Sequence, residues 1–193
     1  MRSLAAPLAI NLTVFVNYSI WVVLPLYVQH EFSGASAERV ATLLMIITVV
    51  HLVASPVAAV IRRRGSQVVV VGAAGGFLLG TLPIPQMPGL LWLIVPLTLY
   101  GVGQVAAVNA GGDIILRRGE GTSTAVGLVR LSSDFGLVLG PVIAGALADW
   151  LGYRAPFYAL SLTLAVAIVV SLTRIREPTR TVSKRVRWTK GVH

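Results

Sequence analysis

The sequence predicts an all-α polytopic membrane protein of six transmembrane helices, and three observations carry that prediction. The chain is 55% hydrophobic and only 12% charged, with a mean hydropathy of +0.81, whereas a soluble domain is about 25% charged. Long stretches contain no Asp, Glu, Lys or Arg: Ser3 to His30, Val40 to Ile61 and Gly65 to Gly112. A helix needs about 20 apolar residues to cross a hydrocarbon core of roughly 30 Å, so the first two stretches fit one crossing each and the third fits two. The basic residues collect in alternate connections, as they do in proteins threaded back and forth through a bilayer.

The first span is expected at 7–28. It is too long for a signal-peptide core and has no convincing cleavage site, so it belongs to the mature chain. The Asn-x-Ser/Thr sequons at Asn11 and Asn17 fall inside it, out of reach of glycosylation. The second span is expected at 40–61. The third, 66–82, ends at "LPIPQMPG" (82–89), where three prolines in six residues stop one helix before the next. The fourth is expected at 90–112, the fifth at 124–148 after the polar turn "RRGEGTS", and the sixth at 154–173. Residues 1–173 then form the membrane domain, and 174–193 a basic polar tail.

Arg62, Arg63 and Arg64 lie between spans two and three, Arg117 and Arg118 between four and five, and more Arg and Lys fill the tail. The opposite connections hold Arg39 and Arg154, offset by Glu31, Glu38 and Asp149. The positive-inside rule puts both termini in the cytoplasm of a plasma or bacterial inner membrane. The net charge of +9 therefore reads as topology. No soluble domain with a basic face exists to bind nucleic acid, while the tail either anchors the topology in water or touches anionic lipid, at about 1 kcal/mol per basic residue. The absence of cysteine rules out disulfides, thiolate catalysis and cysteine-ligated metal. No G-x-S-x-G, H-E-x-x-H or paired-carboxylate motif occurs, so neither metal nor cofactor is expected and an intramembrane enzyme is the least supported class.

"SPVAAVIRRRGSQ" (55–67) and "GPVIAGALADWLGYR" (140–154) share a Pro-Val, small residues and a terminal Arg/Gly cluster, and they end spans two and five. Three-span units cross with opposite polarity, so such a repeat is inverted, a recurrent transporter design. On the fifth span, "GLVRLSSDFGLVLGPVIAG" resembles the glycine-proline motif of major facilitator superfamily transporters, above all the proton-linked drug antiporters. That pattern is a Gly, eight residues, Gly, three residues, Gly-Pro, two residues, Gly-Gly. Gly127, Gly136, Gly140, Pro141 and Gly145 match it, with Ala144 in place of the first Gly of the final pair. "LPLYV" (24–28), "RRRG" (62–65) and "GYRAPF" (152–157) are similar to the same superfamily. Ala58 and Arg62 stand where its first cytoplasmic hairpin has Gly and Asp, and Leu97 stands where its fourth helix has Arg. Those departures favour the carboxy-terminal half of the fold, against the intact glycine motif. The resemblance implies one six-helix half of a twelve-span transporter, working by alternating access with a second half or a second copy of itself.

Several polar groups lie inside the spans. Arg130 and Asp134, one turn apart, share a helix face; they form either a structural ion pair or a proton-coupling site. His51, with Thr48 and Ser55 on its face, is either a proton shuttle or a neutral hydrogen-bonding group between helices. The resemblance makes Asp113, with Arg62–Arg64, a latch at the cytoplasmic side; an interfacial acid with nearby counter-ions reads equally well. It also makes the first and fourth helices cavity-lining, so Asn17, Trp21, Tyr100, Gln104 and Asn109 become solute-facing candidates, with interhelical hydrogen bonding as the plain alternative. Gly127, Gly136, Gly140, Pro141 and Gly145 serve either as tight helix contacts or as a pivot. The expected function is proton-coupled efflux of a small organic solute, and the competing one is a non-transporting truncated or regulatory membrane protein.

Overall fold

In hydrocarbon every backbone N–H and C=O needs a partner within the chain, and a helix supplies those partners segment by segment. The computed structural model describes residues 11, 19–33, 35–61, 66–118 and 122–174, and among them every long element is helical and no strand occurs. The order is α1 (Ile20–Glu31), α2 (Ala37–Ile61), α3 (Ser66–Thr81), α4 (Ile94–Arg118), α5 (Ser123–Leu151) and α6 (Ala155–Arg174). Two 3-10 turns, Ile84–Gln86 and Leu90–Leu93, occupy the proline-rich break before α4. Among the described residues, three stretches are long and apolar enough to cross a membrane: Ala37–Pro56, Leu90–Asp113 and Ser123–Leu151. Ala155–Val170 is a shorter apolar helix.

Several helix ends run past the hydropathy boundaries, although α3 stops one residue early, at Thr81, and α4 and α6 begin later than expected, at Ile94 and Ala155. α2 starts three residues before Val40, α4 runs through Asp113 to Arg118, and α5 continues past Ala148 to Leu151. Hydropathy marks where the chain leaves lipid, whereas backbone pairing continues until a cap or a breaker ends it. Thr122 supplies such a cap for α5, its Oγ1 accepting from the Ala125 N–H at 3.3 Å. Gly152, at φ 88°, ends the same helix in the left-handed region that glycine enters without strain.

Five of the helix hydroxyls are satisfied by their own backbone. Thr42, Thr48, Ser55, Thr81 and Thr98 each donate to the carbonyl four residues earlier, at 2.7–3.0 Å. α3 and α4 come closest together. A Cβ on Gly80 would run into the Tyr100 backbone, and one on Gly103 into that of Phe77, so neither position can carry a side chain at this spacing. α3 also packs on α6, and α4 on α2. Ile20, Leu24, Ile47, Phe77, Leu97 and Phe157 fill the core between them.

One end is tied by polar and aromatic contacts. Arg154, in the turn before α6, donates to Glu31 at the end of α1 at 2.5 Å. His30 lies against Tyr153 with ring centroids 4.6 Å apart. Tyr27 meets Phe157 edge-on at 5.0 Å and donates its hydroxyl to the Ile84 carbonyl at 3.2 Å. The α1 end, the α3–α4 connection and the α5–α6 turn are thereby held together. Arg154 also holds the Glu31 carboxyl below the ordinary glutamate range, first by the hydrogen bond and then by its charge.

Candidate functional site

The crossing of α2 and α4 builds the site. Gly101 lets the two helices approach, since a Cβ there would lie 2.9 Å from Val50 Cγ1 and 3.5 Å from His51 Cδ2. Three residues on, Gln104 comes round to the same neighbour and lies beside His51. Gln104 is fully buried, and neither its Nε2 nor its Oε1 has a hydrogen-bond partner. From α1, Trp21 places its ring 6.0 Å from that of His51, tilted by 58°. Trp21 Nε1 and His51 Nε2 are also buried without a partner. Three helices thus bring two donors, an acceptor and a titratable ring nitrogen to one place.

Such groups are expensive to leave unpaired in a protein interior, at about 1–3 kcal/mol each. In native structures they are hydrogen-bonded by protein or ordered water in the great majority of cases. A cluster of such groups where three helices meet is therefore suited to receive something that supplies the missing bonds.

The other candidates separate. Tyr100, one turn before Gln104, turns towards α3, where its ring stacks edge-on with Phe77 at 4.9 Å inside the core. Asn109 lies on an exposed part of α4 and donates to its own helix at the Val105 carbonyl, 2.8 Å away. Five residues from Gln104, it is about 140° round the helix. Thr48 and Ser55 do not reach the His51 ring; they bond to the Leu44 and His51 carbonyls. Asn17 and Arg62–Arg64 lie outside the described residues, which leaves the expected latch with Asp113 without a described geometry; Asp113 itself is half-buried on α4.

Arg130 and Asp134 are paired, Nε to Oδ2 at 3.6 Å, but on the outside of α5, with side chains 83% and 58% exposed. The glycine motif divides between two faces of that helix. Gly136 and Gly140 are buried with Ala144 and Ala148, each four residues from the last. Around Gly127 and Gly145 nothing lies within 4 Å of where a Cβ would be.

Asn11 is a residue whose role the sequence did not give away. It is buried and donates to Ser132 Oγ at 2.6 Å, with Gly111 of α4 on its other side. The signal was present as an amide in the first span and the Ser132–Ser133 pair in the fifth, but nothing in the spacing joins residues 121 apart.

Two comparisons bear on this arrangement. The sequence profile of the Major Facilitator Superfamily matches residues 8–191. The Multi-drug resistance efflux pump PmrA homolog of Lactococcus lactis subsp. cremoris is 28% identical over 98 residues, which cover 50% of this chain and 82% of that protein.

Proposed function

Because the chain belongs to the Major Facilitator Superfamily, we propose that it is one six-helix half of a secondary transporter, driving proton-coupled efflux of a small organic solute by alternating access. A membrane transporter is the family's common ground; the six-span, three-plus-three arrangement, the coupling and the direction are the proposal. In it, residues 1–173 form the membrane domain and 174–193 a cytoplasmic tail, with both termini in the cytoplasm.

The observation that carries the reading is the cluster of Gln104, His51 and Trp21 where α1, α2 and α4 meet: Gln104 lies beside the His51 ring, and the buried polar atoms of all three make no hydrogen bond within 3.5 Å. Gln104 offers a donor and an acceptor, Trp21 Nε1 a second donor, and the indole face a stacking surface. This chemistry suits a planar, weakly polar organic molecule. The similarity to a protein named as a multi-drug resistance efflux pump agrees with efflux of a loosely specified solute.

His51 supplies the proton site. Its neutral Nε2 accepts from the solute; protonation turns that acceptor into a donor and releases the solute on the acidic side. Asp134, held by Arg130, is the second protonatable candidate. Tyr100 and Asn109 contribute to α4's packing and surface, and Asp113 with Arg62–Arg64 to closure on the cytoplasmic side.

The test uses inverted membrane vesicles acidified inside and a fluorescent planar dye. The parent chain should accumulate dye saturably and lose it on collapse of the pH gradient. His51→Asn should keep dye-for-dye exchange while losing the response to the gradient, and Gln104→Leu should lose both at normal membrane levels. A purified monomer that by itself performs saturable, coupled transport would overturn the half-transporter mechanism. Vesicles from well-expressed parent that move no dye under either gradient would favour the non-transporting alternative.

A further inference from the structure

A surface cleft of about 360 Å³ opens where the α1–α2 turn meets the start of α4. Phe32 and Ser33 line it from the end of α1, Arg39 from the first turn of α2, and Leu90, Leu91 and Trp92 from the turn that leads into α4. The apolar stretches Ala37–Pro56 and Leu90–Asp113 both begin here, so the cleft lies where two helices enter hydrocarbon from the headgroup layer. Trp and Arg suit that level, one by its amphipathic ring and the other by a long apolar stem below a charge.

The charge in the cleft is uncompensated. Arg39 lines it and no carboxylate does; Glu38, its neighbour in sequence, stands outside. Arg39 is exposed and makes no ion pair among the described residues, whereas Arg154 is taken up by Glu31. From the cleft an apolar track runs on along α4: Leu91, Val95, Leu99 and Val102 follow at steps of four, four and three, all of them exposed. At 1.5 Å per residue the track is about 16 Å long, the depth of one leaflet of a hydrocarbon core of roughly 30 Å.

We propose that this cleft binds one anionic phospholipid, of the phosphatidylglycerol class. Arg39 receives the phosphodiester through its planar fork of N–H donors. Ser33 offers a hydroxyl to the glycerol head, and the exposed Trp92 ring lies at the level of the ester linkages. One acyl chain follows the track from Leu91 to Val102. A head group carrying an ammonium would bring a second positive charge beside Arg39 with no carboxylate lining the cleft to meet it, which selects the anionic class. The leaflet is the one opposite Arg62–Arg64 in the topology proposed above. The site uses none of Trp21, His51 and Gln104, so it stands whether or not the chain moves a solute.

The test is native mass spectrometry of the full-length chain in mild detergent, titrated separately with phosphatidylglycerol and phosphatidylethanolamine of the same acyl chains. The parent should hold one phosphatidylglycerol in preference to phosphatidylethanolamine. Arg39→Gln should weaken that binding about tenfold, the factor that one charge-assisted hydrogen bond carries. Its melting temperature in lipid-free detergent should match the parent's, because Arg39 is exposed. Arg130→Gln removes the same charge from an exposed place on α5 and should leave the lipid bound as before. Millimolar glycerol phosphate, which lacks the chains that lie on α4, should not displace the lipid. Equal uptake of the two lipids, or equal weakening by R39Q and R130Q, overturns the proposal, as does an R39Q chain that binds like the parent. Displacement by glycerol phosphate would make the cleft a site for a soluble phosphate and overturn it equally.

Discussion

At the scale of single residues, the same structural fact has opposite meanings for Gln104 and Gly80. Gln104 is buried with both amide atoms unpaired, so its polarity costs the empty fold roughly 1–3 kcal/mol per group. Gln104→Leu, which fills a similar volume without polar atoms, is therefore expected to raise the thermal stability of the detergent-solubilised chain while abolishing dye binding. A variant less stable than the parent by more than about 1 kcal/mol would mean that the amide supports the fold. Gly80 is restricted by space alone. Gly80→Ala places a methyl against the Tyr100 backbone and the Pro96 carbonyl, and overpacking of that kind costs about 1–3 kcal/mol. Gly72 sits in the same helix with nothing within 4 Å of its would-be Cβ. There Gly72→Ala should gain about 1 kcal/mol from helix propensity. Melting curves of the two variants, measured side by side, separate close approach from mere glycine content.

At the scale of elements, the tie between α1 and the α5–α6 turn is sensitive to acid. Glu31 titrates below its ordinary range because Arg154 stabilises the carboxylate. A depressed folded-state pKa gives stability that is fully present above the unfolded value, about 4.3, and that is lost as pH falls through the folded value. Thermal stability should thus drop on acidification below about pH 4.3, and Glu31→Gln should flatten that part of the profile. An unchanged profile in the variant would mean that other carboxylates carry the acid response. The order of the helices was legible in the sequence because charge-free runs and proline breaks are local features. The tie was not: Glu31 and Arg154 stood out only as the few charges on one side, and their pairing depends on how six helices close up. The same holds for the site. Trp21, His51 and Gln104 each stood out as polar groups in apolar spans, under two different roles, but their meeting depends on Gly101 admitting α2 to α4. Thr48 and Ser55 were placed on the right face of α2, yet their hydroxyls are taken up by their own backbone, as a helix in lipid favours. For Gly127 and Gly145, a sequence motif cannot say which of its glycines packs within the chain and which is left open.

At the scale of the whole molecule, the number of crossings decides whether the proposed half is built as described. Among the described residues, three stretches meet the length and hydropathy requirement outright. α3, of 16 residues, and the apolar part of α6, Ala155–Val170, are shorter than the roughly 20 residues that span a bilayer unaided. Packing is the physical reason for counting them: α3 is joined backbone to backbone with α4 through Gly80 and Gly103 and packs on α6, so it is held beside a helix long and apolar enough to cross. A short hydrophobic stretch so held can be accommodated by local thinning of the bilayer at a fraction of a kcal/mol per ångström of mismatch. The charges agree, with the Arg62–Arg64 and Arg117–Arg118 clusters separated by two spans from each other and the basic tail by two more. Six crossings return the carboxyl terminus to the side of the amino terminus, whereas three would leave it on the other. A fluorescent protein fused after His193 should therefore fluoresce, and alkaline phosphatase fused there should be inactive, because one folds only in the cytoplasm and the other only outside it. Phosphatase fused within the 82–89 connection should be active. An active phosphatase after His193 would mean an odd number of crossings, and the inverted repeat would then lose its basis.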